Sequence, residues 1–257
     1  MKILIVSLSS LLLLGLVLGL GLRSQQGKEK IKRSATLPVM EYQQEKAEDT
    51  INRGKDGVLE WKRRARYNAP ASSSPDAKLN AALTPQSKSV CDLPLSHADW
   101  GDGLPVEKSD SIIVGRVDKA QAFLSADHGD IFSQFVVTVS RVVKGQDTLP
   151  DSNDRTITVE RRGGAVRFQN GAVVERGRCF EKMPMTGHSY LFFLKYQPDT
   201  KDFHLLTGYE LQGGAVYALD GEMEGGRPIK SFVQHDGNNE KQFLDRVASA
   251  SAQRGGK

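Results

Sequence analysis

The chain has 257 residues, with 35 Lys+Arg, 31 Asp+Glu and two cysteines, and 39% of it is hydrophobic. Two cysteines exclude a four-cysteine zinc site. Residues 23–66 hold 12 basic and 7 acidic residues, whereas residues 67–257 hold 22 and 24, which excludes a broad nucleic-acid face on the folded part, because phosphates need clustered positive charge. The hydrophobic share is also below that of ordinary globular domains, and predicts a non-globular fraction.

Residues 3–22 carry no charge and are rich in leucine. At 1.5 Å per residue a helix of that length spans ~30 Å, the thickness of a hydrocarbon core. Residues 1–23 therefore read as a membrane anchor, with a cleaved signal peptide as the competing reading. Arg23, Lys28, Lys30, Lys32 and Arg33 follow the span. The positive-inside rule would place the C-terminal side in the cytoplasm.

Residues 24–67 form a charged, partly helical stalk. Pro38 can open a helix at its first turn, and Gly54 and Gly57 weaken any continuous helix. The run Val58-Leu59-Glu60-Trp61-Lys62-Arg63-Arg64-Ala65-Arg66-Tyr67 sets aromatics beside basic residues. It suits a helix lying on a membrane surface or an acidic partner, or a solvated helical stalk. Residues 68–90, dominated by Ala, Ser, Pro and Asn, predict a disordered linker with too little apolar surface to offset its ordering entropy.

Residues 91–257 are predicted as one β domain. Its densest β signal runs from Ser109 to Gly145. Ile112 to Leu124 and Ile131 to Val143 read as two long strands around the polar turn Ala126-Asp127-His128-Gly129-Asp130. In the second, Phe135, Val137 and Val139 share one face. Thr156-Ile157-Thr158-Val159-Glu160 alternates as a third strand. Val166 to Phe168 and Ala172 to Val174 flank Gln169-Asn170-Gly171, an Asn-Gly hairpin signal. Tyr190 to Leu194 reads as a central buried strand. Phe203 to Leu206 and Ala215 to Leu219 follow, and Glu240 to about Ala252 carries Phe243, Leu244 and Val247 at helical spacing. Short strands without intervening helices predict a barrel or sandwich.

Three signatures resemble the netrin-type module, the OB-like barrel shared with tissue inhibitors of metalloproteases. They are Ser109-Asp110 leading into Ile112-Ile113-Val114-Gly115-Arg116-Val117, then Phe135 to Val143 closing on Lys144-Gly145, then Thr186-Gly187-His188-Ser189-Tyr190-Leu191-Phe192-Phe193-Leu194. The resemblance covers residues 109–217. It implies a mainly β fold, an OB-like Greek-key barrel with the C-terminal helix behind it. It also implies an extracytoplasmic, non-catalytic binding or assembly module, whose partner would be another envelope protein. Protease inhibition does not carry over. The inhibitors begin with a cysteine-x-cysteine that chelates the target zinc, and Cys91 lies far inside this chain.

The chemistry-bearing residues are sparse. In an oxidising compartment Cys91 and Cys179 could form a disulfide, worth ~4 kcal/mol in the chain-entropy model. The alternative is two free thiols. His97, Asp99 and Asp102 suit turn chemistry better than a metal, because calcium wants more oxygen ligands at regular spacing. No phosphate loop, zinc helix or nucleophile elbow is present, so no cofactor is expected. A thiol-based hydrolase or redox protein would need Cys179 paired with a histidine, and His188 is nine residues on. The one local basic feature of the barrel is Arg161, Arg167, Arg176 and Arg178 with Phe168. Sharing one side, they would suit an acidic ligand on an OB-type face. The alternative is exposed strand arginines balanced by Glu160, Glu175 and Glu181.

Overall fold

A computed structural model of the chain describes residues 38–41, 54–68, 104–150, 155–167, 173–177, 180–221 and 230–253. The proposed anchor at 3–22, most of the linker, and Cys91, His97, Asp99, Asp102, Phe168, Arg178 and Cys179 lie outside them. Among the described residues no helix is long and apolar enough to cross a membrane.

The domain is mainly β. In chain order its elements are β1 (Val39–Glu41), α1 (Gly54–Arg66), β2 (Ser111–Leu124), β3 (Ile131–Lys144), β4 (Thr156–Arg162), β5 (Gly164–Arg167), β6 (Val173–Arg176), β7 (Ser189–Gln197), β8 (Asp202–Gln212), β9 (Ala215–Ala218), α2 (Lys230–Val233) and α3 (Glu240–Ala252). Six strands form one sheet in the order β4-β3-β2-β7-β8-β9. The neighbours in this sheet are antiparallel. A short parallel pairing, Val159 with Phe203 and Glu160 with His204, joins β4 to β8 and curls the sheet on itself. A smaller sheet, β1-β5-β6, sits beside it.

The sequence alternation explains the layers. Successive strand side chains point to opposite faces. Ile113, Val117, Phe135, Val137, Val159, Tyr190, Phe192 and Leu194 point inward and pack together with Phe203 and Leu205. Their neighbours Ile112, Leu191 and Phe193 point outward, where Phe232, Phe243, Leu244 and Val247 of the C-terminal helices cover them. Tyr190 to Leu194 is therefore apolar at every position because both faces of β7 are buried. Each such side chain contributes ~1.5–3 kcal/mol relative to exposure. Asn239 caps α3, its side chain accepting from the Gln242 amide at 3.1 Å, which satisfies an otherwise orphan donor.

Glycine at 163 and 164 passes the chain from the large sheet to the small one. Both have positive φ, 110° and 141°, and a Cβ on Gly164 would sit 2.7 Å from Ser133 Oγ and 2.9 Å from Ala122 Cβ. Ala122, Leu124, Ile131, Val166 and Val174 then fill the space between the sheets. The Asn170-Gly171 turn lies outside the described residues, while β5 and β6 on either side of it pair antiparallel.

The N-terminal segments do not stand apart from this domain. Met40 on β1 pairs in parallel with Val166 on β5. The helix that the sequence assigns to a stalk packs against β4, β8 and the β2–β3 turn.

Candidate functional site: a charged clamp beneath a helix

Strand alternation puts Glu160 on the outer face of β4 and Arg161 on the inner face. The β4–β8 pairing brings the start of β8, with Asp202, alongside Glu160. Both carboxylates are fully buried, and α1 buries them.

Helical spacing supplies the counter-charges. Arg63 and Arg66, three residues apart on α1, project from the same face. Arg66 Nη1 donates to Glu160 Oε2 at 2.6 Å and to Asp202 Oδ1 at 3.3 Å. Arg63 Nε donates to Asp202 Oδ2 at 2.7 Å. Arg66 Nη2 also reaches Thr200 Oγ1 at 2.5 Å, and Arg63 Nη2 reaches the Thr200 carbonyl at 3.3 Å. The remaining Glu160 acceptors are taken by Gln134 Nε2 at 3.0 Å and the Tyr67 hydroxyl at 3.3 Å. Two guanidinium groups thus meet two carboxylates in a nearly dry space, where charge-assisted bonds are strong and an unpaired charge is costly.

Aromatic and backbone contacts frame the clamp. The Tyr67 ring stacks on Phe132 with centroids 4.4 Å apart and planes 9° from parallel. Arg64 lies over Phe123 and Arg162 over Tyr67, at 5.8 and 5.9 Å from the ring centroids. The Ala126 amide donates to the Arg64 carbonyl at 3.2 Å, and the Asp127 amide to Asn68 Oδ1 at 3.1 Å. The last turn of α1 is therefore tied to the β2–β3 turn as well as to the sheet.

Burial first, and then the neighbouring Asp202 charge, push the Glu160 carboxyl from 4.5 up to about 7, against the pull of Arg66 and Arg63. Burial also pushes the Tyr67 hydroxyl well above its usual value, with Glu160 adding to it. On Arg66, burial works against the charge, but Glu160 and Asp202 outweigh it and the net shift is upward. A carboxyl near neutrality in a cleft would be a general-acid candidate. Glu160 has no cleft, because its oxygens are covered and bonded within the fold.

Arg161 faces the other way. It is 1% exposed, and its Nη2 meets Asp220 Oδ2 at 2.6 Å. Nη1 donates to the Lys182 carbonyl at 2.6 Å, and the Thr207 hydroxyl donates to Asp220 at 2.7 Å. Glu181 stands 3.6 Å from Arg161 Nε, which has no hydrogen bond. Burial raises the Asp220 carboxyl above its usual value, opposed by Arg161. Arg161 is thus bound inside the fold and does not share a surface with the other strand arginines. Of those, Arg167 is exposed on β5 and Arg176 half-buried on β6. The register Arg167 to Val173 and Gly164 to Arg176 separates them by three residues, roughly 10 Å along the strand.

His188 has a buried acidic partner. Its Nδ1 lies 2.9 Å from Glu210 Oε1, with the imidazole 38% exposed and the carboxylate 4%. Among the described residues no group of three His, Cys, Asp or Glu could hold a metal ion.

Arg63, Arg66, Glu160 and Asp202 were not singled out as partners by the sequence. The i, i+3 arginines were visible within a basic run, but nothing local marks Glu160 as buried. Its place after Thr156 and Thr158 on the polar side of an alternating strand signals solvent, and α1 covers it from 94 residues away. The fold and site together define a mainly β domain with a charge-clamped helix. No protein-family model matches this chain, and no curated relative was found for it.

Proposed function

We propose that the protein is a membrane-anchored, extracytoplasmic, non-catalytic binding or assembly module, built on an OB-like barrel of the netrin type. Connectivity supports the barrel reading. β2, β3 and β4 run as a meander, β7 pairs with β2 and β8, and β8 returns in parallel to β4. A partly open five-stranded Greek-key barrel would follow such a path. Ligands of such barrels lie on the second and third strands and on the loops after the first and fourth. Here those positions are β3, β4, the β2–β3 turn and the β7–β8 turn, the region over which α1 is clamped.

The observation that carries the non-catalytic reading is the commitment of the buried charges. Glu160, Asp202, Arg161 and Asp220 are spent on ion pairs within the fold. The binding surface then lies away from α1, around Arg167 and Arg176, with Phe168 and Arg178 assigned to it by sequence. Residues 3–22 anchor the chain, and another envelope protein is the proposed partner.

Thiol accessibility in intact cells tests the location. A membrane-impermeant maleimide that labels Cys91 and Cys179 from outside only after reduction supports an extracytoplasmic domain with a Cys91–Cys179 disulfide. Labelling only after lysis, with no need for reductant, would overturn it. The His188–Glu210 pair favours one second reading, an envelope hydrolase or thiol-redox protein using Cys179. A buried carboxylate bonded to one imidazole nitrogen orients the other for proton transfer. That reading requires a Cys179 thiol acidified by His188, so His188→Ala would slow its alkylation near neutral pH. An unchanged alkylation rate would dispose of it.

A further inference from the structure

We propose that the outer face of α1 is a lipid-contact surface that lays the β domain against an anionic bilayer. The inference rests on the membrane anchoring proposed above. Its starting point is a pair of exposed side chains. The large hydrophobic residues exposed among the described residues are Val58 at 54%, Trp61 at 49% and Val173. Two of the three stand one helical turn apart on α1.

The 3.6-residue period places them. Arg63 and Arg66 face the sheet. Trp61 lies on the opposite side of the same helix, and Val58 and half-buried Ala65 flank it as one stripe. Exposed Lys62 borders that stripe. The inner face of α1 is fixed by the clamp, so the orientation of the outer stripe is fixed relative to the barrel.

The occupant follows from chemistry and reach. An indole with a polar N–H on an apolar body suits the bilayer interface. A basic flank suits anionic headgroups. Residues 3–22 are long and apolar enough to cross a bilayer, and Arg23, Lys28, Lys30, Lys32 and Arg33 come next. The 31 residues 23–53 reach at most ~100–110 Å, which leaves α1 within reach of that bilayer. Amphipathic helices bind in this way, by an apolar stripe in the headgroup region and basic residues beside it.

The test uses the full chain reconstituted in vesicles. A Trp100→Phe variant leaves Trp61 as the sole tryptophan. Vesicles are made of phosphatidylcholine, with or without phosphatidylglycerol, and contain lipids brominated near the headgroup end of the acyl chain. The expected result is a blue-shifted Trp61 emission quenched by the brominated lipid, more strongly with phosphatidylglycerol and less in high salt. Val58→Glu with Lys62→Glu should abolish the quenching and leave the melting temperature of the β domain unchanged, because both positions are exposed.

An unquenched, water-like emission from a chain that survives a carbonate wash would overturn this surface and leave the anchor standing. Trp61 quenched before a carbonate wash that then strips the chain would support the surface and overturn the anchor. A blue shift that grows with protein concentration, without lipid quenching, would assign the stripe to a second copy of the chain and overturn the proposal.

Discussion

Arg66 reaches Glu160 at 2.6 Å across 94 residues of sequence, and this pair is the centre of the join between α1 and the sheet. Breaking it from one side leaves a buried charge without its partner. Arg66→Ala should cost ~3–5 kcal/mol, the range for removing one member of a buried pair. Replacing both, Arg66→Ala with Glu160→Gln, should recover part of that loss. Chemical denaturation of the four chains in a double-mutant cycle measures the coupling. A coupling near zero would mean that α1 contributes nothing through this pair.

Glu160 also sets a pH dependence. Its folded value, about 7, lies above the ordinary 4.5, so the folded state holds this proton more tightly than the unfolded one. The resulting stabilisation is complete below pH 4.5 and is lost as pH rises through about 7. Wild type should therefore lose stability relative to Glu160→Gln between those values. Denaturant midpoints of both chains across that interval check the sign. A wild type that gains on the variant as pH rises would contradict it.

The inner pair behaves as a separate unit. Arg161→Met leaves Asp220 buried without its counter-charge, and should cost ~3–5 kcal/mol. Adding Asp220→Leu should restore much of the stability, since a well-packed apolar pair can replace a buried ion pair. Thermal unfolding of the single and double variants reads this directly. Equal loss in both would assign the penalty to packing alone.

Gly164 has φ of 141°, and a Cβ there would press on Ser133 Oγ, Ala122 and Ile131. Backbone strain of this kind costs of order 1–3 kcal/mol, with overpacking added to it. Gly164→Ala should lower the melting temperature markedly, whereas Gly214→Ala, at φ 77° with open space around it, should lower it less. Equal effects would show that crowding at 164 is relieved by small shifts.

Much of the β architecture was legible because it follows from period-two alternation. The long strands β2 and β3, the inward set Phe135, Val137 and Val139, the continuously apolar β7 and the Phe243-Leu244-Val247 face of α3 all come from local patterns. The clamp was not legible. Whether Glu160 is solvated or buried depends on a helix far away in the chain, and the same basic run suits a free stalk or a docked one. Arg161 was misleading for a related reason. An arginine at an inward strand position looks like a surface residue until its partner, Asp220, is known to sit 59 residues on.

The clamp makes α1 part of the β domain. Hydrogen exchange over residues 54–66 of the full chain in vesicles measures this. If α1 is clamped, its amides in the last two turns should exchange with the protection of β4 and β8, and Arg66→Ala should release them selectively. Exchange in α1 as fast as in an isolated helix, with β4 and β8 still protected, would contradict the account.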